Sequence, residues 1–329
     1  MPNSSEVLAE IDHARQSGTV DPIDTVRRRH LAALAAYTQR NVIAYYSGWL
    51  TVDPTLRGIA IGDEDKNGFM TAIHRMDRTK GLDLILHTPG GDIAAAESLG
   101  EYLRAMFGTD IRVIVPQLAM SAGTMIACAS KVIFLGKQSS LGPFDPQSNG
   151  ISLPAVLDEF KRAINEIKAD PASTPLWQVI IGKYHPTFLD SCHRATVMSK
   201  DIVRKWLVSG MFEGDPDALA KASAIVDYFS NHDEHKTHSR HVHYDACAQV
   251  GLKVSRLEDD AQLQDLVLTV HHAYMHTCGL THVIKIIESH EGQAVVMKAQ
   301  APMQGLPFPF MQMAAPIPVA APAQAANGL

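Results

Sequence analysis

Cysteine is scarce in this chain. There are four in 329 residues, Cys128, Cys192, Cys247 and Cys278, widely spaced and with no Cys-x-x-Cys pair. Such spacing excludes a disulfide-stapled secreted scaffold and predicts reduced thiols in a cytoplasmic protein. Charge is sparse too: 19% of residues are charged and the net charge is −6. The basic excess that draws a protein to nucleic acid or to an anionic membrane is missing. Residues 1–18 are polar and lack the apolar core of a secretory signal. The uncharged run Val113–Ser130 has the length of a membrane span, but Pro116, Gln117 and Gly123 divide it. It is expected to form a strand, a turn and a helix, leaving no clear membrane segment. No His-Glu-x-x-His motif is present, and no metal or other cofactor is expected.

What is present is a run of short α/β units between Leu82 and Gln147. Leu82–Leu86 is an apolar strand that Thr88-Pro89-Gly90-Gly91 breaks. Ile93, Ala96, Leu99, Gly100, Leu103, Met106 and Phe107 then recur at helical spacing. Ile111–Val115 and Val132–Leu135 are further strands, with a small-residue turn at Ser121-Ala122-Gly123 and an apolar segment, Met125–Ala129, between them. Strands alternating with helices over short loops predict a mostly parallel sheet.

Two of these turns carry chemistry. Gly90-Gly91 lies where a strand ends and a helix begins, so its backbone N–H groups can approach a ligand and the helix dipole adds partial positive charge. Such a turn can hold a developing oxyanion. Ser121 opens the next strand-to-helix turn, with small neighbours that leave its hydroxyl accessible. The candidate site is therefore Ser121 as nucleophile, with N–H groups of Gly91 and Ala122 as the oxyanion hole and Gly90 supporting the turn.

The motifs HTPGGD, AMSAGTMIACAS and SSLGPFDPQ resemble the serine dehydrogenase proteinase family, a relative of signal peptide peptidase A and of the Clp protease catalytic subunit. The resemblance runs from about Tyr37 to about Gly292. It implies an α/β fold, a Clp/crotonase-like spiral of ββα units with a C-terminal helical insertion. It also implies a serine peptidase acting on a peptide or protein substrate, assembled as a homo-oligomer through helical segments such as Leu153–Ala169 and Ala261–His276. The expected division is an N-terminal arm and helix (1–36), a peptidase domain (37–298) and a Pro/Ala-rich low-complexity tail (299–329). Within the first part, Met1–Asp21 reads as a mobile arm and Pro22–Ala36 as a helix.

The base that would activate Ser121 is left with three candidates. SLGPFDPQ has no histidine, which argues against a triad of the Clp type. Signal peptide peptidase A uses a lysine on the inserted helical segment, and the resemblance makes Lys183 the first choice. Its neighbours Ile180, Ile181 and Tyr184 would supply the apolar wall that makes a lysine a base. His185 comes next and Lys161 third. The histidine-rich turn Asn231–Tyr244 contains His232, His235, His238, His241 and His243, and resembles a structural turn of the family. His272 and His276 stand one helical turn apart, a metal-capable spacing with no carboxylate between them. Two other functions fit the motifs: a crotonase-like acyl-CoA enzyme sharing the oxyanion hole, and an inactive oligomeric scaffold.

Overall fold

The computed structural model describes residues 3–148 and 150–299. The Pro/Ala-rich tail lies outside them. In chain order the elements are α1 (Ser4–Gln16), α2 (Pro22–Thr38), β1 (Asn41–Ser47), α3 (Asp65–Ile73), β2 (Leu82–His87), α4 (Ile93–Phe107), β3 (Ile111–Val115), β4 (Leu118–Ala119), α5 (Ala122–Cys128), β5 (Val132–Leu135) and β6 (Ser140–Leu141). They continue with β7 (Gln147–Ser148), β8 (Ile151–Ser152), α6 (Leu153–Ala169), α7 (Thr174–Ile181), α8 (Phe188–Trp206), α9 (Ala218–Ser230), α10 (His232–His235), α11 (Tyr244–Gln249), β9 (Val254–Arg256), α12 (Ala261–Leu280), β10 (Val283–Ser289) and β11 (Ala294–Lys298).

Seven strands form the central sheet, in the order β11-β10-β1-β2-β3-β5-β9. From β1 to β9 every pairing is parallel, and the β10–β11 hairpin closes the other edge antiparallel. Both faces are covered, so the strands read as continuous apolar runs and their two sides feed two cores. Ile43, Tyr45, Leu84, Leu86, Val113 and Val115 face one core, shared with α3, α4, α5, α8 and α9. Val42, Ala44, Tyr46, Ile85 and Ile114 alternate onto the other, shared with α2 and α12. This is a mixed α/β fold with a parallel-dominated sheet. The run Val113–Ser130 is strand, turn and helix, and no helix among the described residues is long and apolar enough to cross a membrane.

Two expectations change. Residues 3–17 are ordered rather than a mobile arm. Asn3 and Glu6 form a capping box on α1, and Val7 and Ile11 are buried against Val26 and Ala273. The apolar spacing was there, but its partners sit on α2 and α12. Helix α12 is also not a free oligomer face, because it packs on α2, α1 and the sheet, burying Leu263, Val267 and Tyr274.

Candidate active site

The two turns meet at the C-terminal ends of β2 and β3, the edge where parallel α/β sheets place ligands. After β2 the chain runs through Thr88 and Pro89 into Gly90-Gly91, and Asp92 caps α4 through Ala95 N–H at 2.8 Å. After β3 it passes β4, and Ser121 starts α5 with φ 53° and ψ −119°. A non-glycine residue with positive φ is strained by roughly 1–3 kcal/mol and marks a turn that the surroundings hold in place. A Cβ on Gly90 would lie 2.7 Å from Ser121 Cβ and 3.1 Å from Ala122 N, so the glycine lets the two turns touch. Neither the Gly91 nor the Ala122 N–H has an acceptor among the described residues. Ser121 Oγ likewise makes no hydrogen bond there.

A cleft of about 580 Å³ opens over these turns. Ser121, Gly90 and Gly91 line it together with Trp49, Ile59, Met125, Phe144 and Met198. His238 lines it too. Its Nδ1 is 2.7 Å from Asp145 Oδ1, and Asp145 is 2% exposed. Ser152 Oγ donates to the other carboxylate oxygen at 2.9 Å. With Nδ1 engaged, Nε2 is the ring nitrogen left to exchange a proton. No hydrogen bond joins His238 to Ser121, a common state of a site without substrate.

Sequence reasoning missed this histidine because Asp145 and His238 are 93 residues apart. SLGPFDPQ holds the aspartate, whereas the histidine arrives from the histidine-rich turn. That turn is fastened along SSLGPFD. Leu141 bridges Val242, Ser140 Oγ lies 2.7 Å from His241 Nδ1, and His243 Nδ1 lies 3.0 Å from the Ser139 carbonyl. Thr124 Oγ1 in turn ties α5 to Gly142, 2.8 Å from its carbonyl.

The three base candidates lie elsewhere. Lys183 and His185 are exposed in the link between α7 and α8, and neither lines the cleft. The apolar neighbours Ile180 and Ile181 do not enclose Lys183, because α7 buries only Trp177. Lys161 is exposed and ion-paired with Asp158 at 2.7 Å. His276 does not pair with His272 as a metal site; its Nε2 lies 2.8 Å from the Ser4 carbonyl and anchors α1. Asp158, His232 and Asp233 bring one ligand atom each within 4.8 Å of one another, but this is a surface ion-pair cluster whose Asp158 is shared with Lys161.

The fold and the paired turns define an α/β domain of the Clp type. Residues 24–173 match the family model of the ClpP-like SDH-type serine proteinases. Two uncharacterised proteins of Methanocaldococcus jannaschii are similar to it. One is 38% identical over 33% of this chain and 36% of its own length. The other is 34% identical over 30% of this chain and 34% of its own. The chain thus spans about a third of the length of the curated relatives it matches.

Proposed function

We propose that this chain is a serine peptidase with Ser121 as nucleophile, His238 as general base and Asp145 as the group that orients it. Ser121 Oγ attacks the peptide carbonyl while His238 Nε2 takes its proton. The Gly91 and Ala122 N–H groups donate to the oxyanion. His238 then passes the proton to the leaving amine, and water, activated by the same imidazole, hydrolyses the acyl-enzyme. Asp145 accepts from Nδ1–H, which fixes the tautomer and stabilises the imidazolium. The observation that supports this reading is the convergence of a strained serine, two unengaged N–H groups and a carboxylate-held histidine on one cleft. Lys183 would need a rearrangement of the α7–α8 link to reach Ser121.

A fluorophosphonate probe tests the assignment. Labelling should fall on Ser121 and vanish in Ser121→Ala with the circular-dichroism spectrum unchanged. Labelling that survives the substitution would move the nucleophile elsewhere. A folded wild-type protein that never labels would favour the acyl-CoA or scaffold reading. Ile164, Leu176 and Val179 are exposed on α6 and α7 and are the apolar surface through which a homo-oligomer would form. A solution mass of 35.8 kDa by light scattering would rule that assembly out.

A further inference from the structure

We propose that the buried pair Lys285–Asp65, on the opposite side of the glycine turn from Ser121, is a positioning device for the oxyanion hole. The inference rests on the peptidase reading above. It starts from two charged side chains with no exposure at all in the sheet's core. Lys285 comes from β10 and Asp65 from the first turn of α3. Lys285 Nζ lies 2.7 Å from Asp65 Oδ1 and donates to the Ala60 carbonyl at 2.7 Å. Asp65 Oδ2 accepts from the Gly62 N–H at 3.1 Å and from Tyr45 OH at 2.7 Å.

The pair therefore grips the backbone on both sides of Ile61. Ile61 is the residue that holds the glycine turn. Its N–H donates to the Gly90 carbonyl at 2.8 Å, and its carbonyl accepts from the Asp92 N–H at 3.0 Å. This is a one-residue parallel bridge between Ile61 and Gly91. In such a bridge the flanking residues make the bonds, so the N–H of Gly91 itself points away from Ile61. The contact is close: a Cβ on Gly91 would lie 2.3 Å from Ile61 N. Any shift of residues 60–62 must then turn the Gly91 peptide.

Stability alone does not explain the pair. A buried ion pair is commonly matched or bettered by apolar side chains of similar volume. Apolar side chains could fill the space, but they could not bind the Ala60 carbonyl and the Gly62 N–H at once. Ile59 and Ala60 also line the cleft, so the gripped segment is both the wall of the site and the brace of its oxyanion turn.

The test is the double variant D65L/K285M in the full chain. It should melt close to the wild type. Backbone hydrogen exchange at Ile61 and Asp92 should become faster. Fluorophosphonate labelling of Ser121 should slow by about tenfold or more, part of the loss expected for an oxyanion donor, and kcat should fall with KM little changed. Should the double variant not fold, Tyr45→Phe, which leaves the ion pair intact, should still raise exchange at Ile61 and slow labelling by a smaller factor. Unchanged exchange and labelling in either folded variant would overturn the proposal. A wild-type protein that does not label would overturn the peptidase reading and the catalytic half of this inference with it. The exchange measurement decides the bracing half separately.

Discussion

Two buried carboxylates flank the candidate site, and they are built differently. Asp65 is fully enclosed and bonded to a lysine, a tyrosine and a backbone N–H. Burial pushes its carboxyl above the usual range and Lys285 below its own, each countered by the other's charge. Asp145 is as deeply buried, but its partner His238 has one face on the cleft. The first pair spends every hydrogen bond inside the protein. The second leaves one nitrogen for chemistry. A closed network fixes backbone, whereas an open one can transfer a proton, although both look alike as acid–base pairs in a dry interior.

Substitution should separate the two. The largest effect expected is on the open pair. His238→Ala should lower kcat by about a millionfold, as when one member of a unit of nucleophile and base is lost. Asp145→Asn should cost about ten-thousandfold by favouring the wrong tautomer. Asp145→Asn keeps the shape of the pair and should melt near the wild type, whereas His238→Ala leaves the buried Asp145 carboxylate with Ser152 alone and should melt lower. An active His238→Ala protein would place the base elsewhere and return attention to Lys183.

Next comes the closed pair. Asp65→Ala should destabilise the fold by about 3–5 kcal/mol, because it strands a buried ammonium. Urea unfolding measures this, and a loss below about 1 kcal/mol would mean that water reaches Lys285.

A third buried group sharpens the contrast by having no counter-charge. His87 and His271 lie edge to face 5.3 Å apart behind Trp49. Burial, and for His87 the neighbouring His271 ring, holds both well below the ordinary imidazole range; His271 is brought down to about 3. The folded state then stays neutral where the unfolded chain takes up protons. Stability is full above about pH 6.5 and falls as the pH drops from there toward 3. For His271 alone the loss between pH 7 and 5 should be about 2 kcal/mol. Denaturant midpoints across that range check the sign, and His271→Phe should flatten the slope.

The smallest effect is expected at Lys183. Being exposed and outside the cleft, its replacement by methionine should leave labelling and kcat within about twofold, as for other surface changes. A loss of a hundredfold would reinstate it as the base.

Much of the fold was legible because it is local. Ile111–Val115, Val132–Leu135 and Leu153–Ala169 are found at the bounds their patterns predict. The link between α7 and α8, residues 182–187, contains His185-Pro186, where the residue before proline resists helix. The glycine turn and Ser121 were legible for the same reason: each is a strand end followed at once by a helix start. The ordered α1 was not, because a short amphipathic helix is decided by what covers its apolar side.

The sequence by itself determined the parallel α/β plan, the two turns and their proximity, through periodicity and glycine placement within about sixty residues of chain. The tertiary structure decided which side chains stand beside them. Asp145 meets His238 because β6 pairs with the segment after α10, and Lys285 reaches Asp65 because β10 pairs with β1. Neither pairing leaves a spacing that can be read along the chain. Charged partners at long separation are brought together by sheet registration and core packing, whose free energy comes from burying apolar surface across the whole domain.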